Sequence, residues 1–396
     1  MSVACSVVHN QEVSATTDGG LTQREAAPIA DKNKRSMRFS ILKGLAIIFV
    51  VLSHAGCPSW MARFVFQFHV PVFFICSGYF FKTRYLDNGL MFMGRRFRGL
   101  YLPFVRYSLF FLLIHNLLFP LGLLSERYGN DGGGVLHPYN LQQFCQRFWS
   151  ILFNMSGYDE FLGGSFWFFR ALLLASIGWF FAFYVLRKKC SRVQDWGITA
   201  VILCTAVAFA SWQTLMGLRM TGVAQGGYRE LTGLAFIAIG FLFRLYYERL
   251  PLNAWSALLS FALLCAGAIW FPGSMGYKHT FLQFLPLIPM GVLGFVLFLY
   301  LSGLIERRGG YLARLLSYIG EHTLYVFAFH LLAFKLVSAL AVFYYHLPWE
   351  KMGSHTVVSE TKQSSWFYLL YTLVGVFVPL LWMHVYKRLK MHFRRT

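Results

Sequence analysis

The chain has 396 residues, 57% of them hydrophobic and only 13% charged, with a mean hydropathy of +0.52. A soluble domain carries about 25% charged residues, so the composition excludes an ordinary soluble globular protein and points to a bilayer. The 36 Lys and Arg against 16 Asp and Glu leave a formal charge of +20, which suggests nucleic-acid binding only until its distribution is considered.

Residues 1–36 are polar and contain no apolar core. They read as a disordered cytoplasmic tail, not as a cleaved signal peptide. Ten apolar runs follow, near 39–57, 64–82, 101–123, 162–186, 196–215, 231–247, 254–272, 281–301, 318–345 and 366–386. Roughly twenty apolar residues cross a bilayer as a helix, and a helix pairs its own backbone groups, which lipid demands. The runs are too long and too uniformly apolar for barrel strands. The expected fold is all-α: a polytopic integral membrane bundle of about ten transmembrane helices over 37–386, with a basic cytoplasmic tail at 387–396.

The second run, "FVFQFHVPVFFICSGYFF", contains Pro71 and reads as a kinked span. A re-entrant segment there would break the alternation of the following loops. In the long loop at 124–161, a Gly-rich start precedes an amphipathic stretch, 140–154, suited to the membrane interface.

The positive charge is asymmetric. With the N-terminus inside, the inner segments hold 24 of the 36 Lys and Arg, the outer loops eight and the spans four. A threefold bias follows the positive-inside rule and places both termini in the cytoplasm. The charge then sets topology and meets anionic lipid, and no nucleic acid is required. The seven cysteines are scattered and odd in number, and support neither a disulfide framework nor a zinc site; no metal is expected.

Ionisable residues inside spans are costly and mark functional candidates. Lys43 and His54 stand eleven residues apart in the first span. That is about three helical turns, so they share a face, roughly 16 Å apart along the axis. Lys43 falls near the inner leaflet, where it can snorkel to headgroups, and His54 near the outer end. His69 lies at a similar depth on the adjacent span, joined to the first by a short turn. Two imidazoles near one membrane face can form a proton-handling pair or a structural hydrogen bond between helices. Arg170 and Trp167 open the fourth span, where they can meet an acceptor or belong to the interfacial belt. His330 is a weaker polar candidate, and Arg106 and Lys335 have no assigned role.

These residues carry a resemblance. "RFSILKGLAIIFVVLSHAG" followed by "FQFHVPVFFICSGYFFK" is similar to the opening of the acyltransferase 3 family, polytopic membrane O-acyltransferases of glycans and some lipids. Lys43 and His54 match a basic residue, ten residues, then His. Phe68, His69, Pro71, Phe73, Phe74, Ser77 and Gly78 match the second segment. "GRRFRGLYLPFVRY", "FWFFRALLL" and "YIGEHTLYVFAFH" resemble later family elements. Ser40 stands where many members carry Asp, and Gly99 breaks the family's Arg-x-x-x-Arg spacing after Arg95.

The resemblance implies a membrane O-acetyltransferase, resembling the fucose O-acetylase-like branch, in a bacterial inner (cytoplasmic) membrane. It implies acetyl-CoA or another acyl-CoA as donor substrate, with no permanently bound cofactor. The acceptor is a hydroxyl of an envelope polysaccharide or of its lipid-linked precursor. Lys43, Arg95, Arg96 and Arg98 then meet the donor's phosphates, which suit charge-assisted hydrogen bonds. Those arginines can equally serve topology and anionic lipid. His54 is the catalytic base or the acyl carrier, and His69 orients it or shares its proton. As substrate-binding candidates, Arg170 can steady the thioester oxygen or an anionic acceptor, and Trp167 can stack on a sugar face. Rival readings are a same-family enzyme with a small or lipid acceptor, and a glycolipid transporter. A transporter is disfavoured by the lack of a second broken segment or repeated half.

Overall fold

The computed structural model describes residues 37–129, 136–276, 280–357 and 366–392. The tail expected over 1–36 lies outside them. The described residues form helices and no strands, with one isolated bridge between Met220 and Gly226.

In chain order the helices are α1 Met37–His54, α2 Ser59–Phe66, α3 Pro71–Tyr79, α4 Gly89–Arg96, α5 Leu102–Leu118, α6 Leu141–Asn154 and α7 Trp167–Lys189. Then come α8 Asp195–Met216, α9 Tyr228–Tyr246, α10 Ala254–Trp270, α11 Phe281–Arg308, α12 Gly310–Glu321, α13 Thr323–Tyr344 and α14 Phe367–His392. Nine helical segments among the described residues are long and apolar enough to cross a membrane, α2 with α3 and α4 with α5 each counting as one. Helix α10, with 17 residues, is a shorter apolar helix. All ten expected runs therefore have helical counterparts. The run near 318–345 divides at His322 into α12 and α13, and α14 continues to His392.

Two breaks shape the interior, and both sit at prolines. Pro71 has no N–H for the carbonyl of Gln67, and its ring crowds that carbonyl. The expected kink is thus a full break, with α2 ending at Phe66 and α3 starting at Pro71. Pro103 likewise has no N–H for Gly99, and the chain passes through a π-turn at Phe97–Tyr101 between α4 and α5. Such turns widen the helix by one residue and recur at functional sites.

Close helix contacts are made by glycine, as expected where lipid supplies no hydrophobic drive between helices. A Cβ on Gly78 of α3 would lie 1.9 Å from the Ile237 carbonyl oxygen of α9, and one on Gly240 of α9 would lie 2.0 Å from the Ile75 carbonyl oxygen of α3. Gly44 of α1 and Gly320 of α12 make the equivalent contact against Leu316 and Ser40. These two seams fix α1 and α3, which carry much of the site.

The amphipathic stretch is α6, opened by a capping box between Asn140 and Gln143. Its Trp149 and Phe153 are exposed while Ile151 is buried.

Candidate active site

One cavity of about 1030 Å³ lies within the bundle, touching both Lys43 and His54 of α1. Those residues are about 16 Å apart along the helix, so the cavity extends at least that far.

One end is cationic. Lys43, Arg95 and Arg96 line it with Ser77 and Tyr85. Arg96 donates to Ser77 Oγ at 2.9 Å and lies over the Phe92 ring at 5.2 Å. Arg95 donates to the Tyr85 hydroxyl at 2.8 Å. The π-turn brings Gly99 to the wall and leaves Arg98 exposed outside the cavity lining. The cluster expected from sequence is therefore Lys43, Arg95 and Arg96 without Arg98.

The other end is built by histidines. His54 closes α1, His69 sits in the break ahead of Pro71, and His355 comes from the segment between α13 and α14; all three line the cavity. The His54 ring lies 5.4 Å from that of His330 and 6.2 Å from that of His355, centroid to centroid. His69 Nδ1 is 2.6 Å from the Val65 carbonyl, and His330 Nδ1 is 3.0 Å from that of Phe327. A carbonyl accepts only, so both rings carry their proton on Nδ1 when neutral. His330 Nε2 is buried without a hydrogen-bond partner. His330 stands behind His54, off the cavity wall.

Trp167 lines the same end, but Arg170 does not. Arg170 is 1% exposed. Its Nε donates to Glu230 Oε1 of α9 at 3.3 Å, and its Nη1 is bonded to Gln225 Oε1. The cation that reaches the cavity is Arg229, stacked over Trp167 at 4.4 Å and bonded to the Gly276 carbonyl. Arg229 and His355 both fall between the ten apolar runs, where hydropathy alone singles out no site residue. The adjacent Arg229–Glu230 pair at the mouth of a span was the one available signal. Among the described residues, no three His, Cys, Asp or Glu side chains are placed to hold a metal ion.

The arrangement joins a cationic anchor to a group of imidazoles through an apolar passage that includes Ile47, Val50 and Phe73. That suits a long, anionic-headed substrate delivering its reactive end to a base. The family model described as "Acyltransferase domain", that of the acyltransferase 3 family, matches residues 38–384. The chain belongs to the acyltransferase 3 family. No curated protein and no solved structure matches it. As an acyltransferase 3 protein it is a membrane acyltransferase, and the matched stretch includes every cavity-lining residue named above.

Proposed function

We propose that this acyltransferase moves an acetyl or similar short acyl group from acyl-CoA to a hydroxyl of an envelope polysaccharide or its lipid-linked precursor. The observation that carries the reading is one cavity touching both the Lys43–Arg95–Arg96 group and the histidine group. CoA is a cytoplasmic polyanion, and guanidinium groups suit its phosphates. The charge bias puts the arginine end inside, so the pantetheine arm threads outward and sets the thioester beside His54. His54 then acts on the acyl carbon as nucleophile, or on the acceptor hydroxyl as base. Arg229 and Trp167 receive the acceptor at the opposite mouth. The protein is placed in a bacterial inner membrane with both termini cytoplasmic.

The test compares the acyl content of the envelope glycan, by NMR, in cells carrying the wild type and His54→Ala at equal membrane levels. Loss of the acyl groups is expected. Unchanged acylation overturns the reading.

A further inference from the structure

Three imidazoles line one end of the cavity, those of His54, His69 and His355, with His330 behind them, and their bonding divides the four. His69 and His330 each commit Nδ1 to a helix carbonyl. No hydrogen bond ties the ring of His54 or of His355 among the described residues. His54 and His355 also both line the cavity. Of the three rings on the cavity wall, they are the two with neither nitrogen committed to a carbonyl.

His355 is carried on a segment that is held unusually firmly for a loop. Lys335, in the middle of α13 and 5% exposed, donates from Nζ to the carbonyls of Met352 at 2.7 Å and Ser354 at 2.9 Å. The Val357 N–H bonds the Tyr371 hydroxyl of α14 at 3.2 Å, and that hydroxyl shares a 2.9 Å bond with Ser338 of α13. The Lys335 ammonium also lies 4.7 Å from the centroid of the Phe161 ring, which stands edge-on to His355 at 5.1 Å. Phe161 is fixed in turn, its N–H bonded to Asp159 Oδ1 at 2.9 Å, while Asp159 Oδ2 binds the buried His115. An ammonium at this depth is costly, and its bonds all serve the segment that presents His355.

We propose that His355 is a second catalytic residue, the base for the acceptor, while His54 carries the acyl group, and that Lys335 is the positioning residue that holds His355 in place. The proposal rests on the acyl-transfer reading above. In the first half-reaction a nitrogen of His54 bonds the acyl carbon, the thioester C–S bond breaks, and the proton on His54 leaves with the CoA thiolate as the free thiol. In the second, the acceptor oxygen bonds the acyl carbon, the C–N bond to His54 breaks, and the acceptor's proton passes to His355. That proton then returns to His54, so the sum is thioester plus alcohol giving ester plus thiol. Acylation draws electron density away from the lone pair left on the other nitrogen of His54, and that ring must itself depart in the second step, which is why a second imidazole takes the acceptor's proton. Burial, with His54 and Lys335 beside it, pushes His355 down to about 3, so the ring is uncharged at neutral pH and has a lone pair to offer.

The two half-reactions can be read separately, the first on the purified full chain and the whole reaction in cells. Exchange of acetyl between acetyl-CoA and dephospho-CoA needs only the first, and acylation of the envelope glycan in cells needs both. For His355→Gln, exchange within about twofold of wild type is expected, with glycan acylation down about a hundredfold, in the range of a lost general base. Lys335→Met should follow the same split, and Lys335→Arg should restore part of the acylation. His54→Ala should lose both readouts. The proposal is overturned if His355→Gln leaves acylation intact, if it lowers exchange and acylation equally, or if the wild type acylates glycan without catalysing exchange. Retained acylation in His54→Ala would instead remove the acyl-transfer site itself.

Discussion

Arg96 of α4 and Ser77 of α3 meet at 2.9 Å on the cavity wall, so α3, which begins just after His69 at the histidine end of the cavity, also holds a guanidinium at the cationic end. Arg96→Ala and Arg95→Ala should each raise the KM for acetyl-CoA about tenfold or more, the value of one hydrogen bond to a charged group. Their kcat should change little, because the contact is uniform between ground and transition state. Arg98→Ala should leave KM unchanged, since its side chain is exposed off the wall. Steady-state CoA release by the purified protein checks all three.

Arg170 and Glu230 form a buried pair between α7 and α9, with side-chain exposures of 2% and 11%. Removing one member leaves an uncompensated charge, at a cost of about 3 kcal/mol or more. Glu230→Gln should lower the unfolding temperature in detergent, and Arg170→Met with Glu230→Gln should recover much of the loss. A double variant no better than the single one would contradict a pairing role.

The glycine seam between α3 and α9 leaves no room for a methyl group. Gly240→Ala forces the helices apart and should destabilise by about 1–3 kcal/mol, the usual cost of overpacking. Because α3 carries Ser77 and follows His69, acyl transfer should fall along with stability. A melt identical to wild type would show that the seam is looser than described.

Acid sensitivity follows from His355. Its folded value is about 3, against 6.5 in the free chain. Between those values the unfolded chain binds a proton here that the folded chain does not, so stability rises with pH through the window and falls on acidification. His54, His330 and Lys335 face this ring from α1 and α13, and Glu160 and Tyr158 line the same cavity. The fall in unfolding temperature between pH 7 and pH 4.5 should be smaller in His355→Gln than in wild type. Equal falls would show that the ring is already solvated.

The helical bundle was legible because lipid leaves one solution for each long apolar run, and Pro71 announced its break. The Lys43–His54 spacing was legible because a helix has a fixed pitch. What stayed hidden depended on contacts between elements. Arg170 was a reasonable candidate until Glu230, sixty residues on, neutralised it. Arg229 and His355 stayed hidden because they fall between apolar runs, and hydropathy locates spans and not the folding of loops back over a cavity. Lys335 had no readable role, since its partners are backbone carbonyls, which sequence does not distinguish. The exclusion of Arg98 depends on the π-turn, whose extra residue shifts the register that a regular helix would predict.

The most direct test follows labelled acetyl across the bilayer. Acetyl-CoA is supplied only on the cytoplasmic face of sealed vesicles containing the protein and the glycan acceptor, and label on the glycan at the opposite face is measured over time. The account predicts steady labelling by the wild type and none above background by His54→Ala present at the same level. Equal labelling by the two would contradict it.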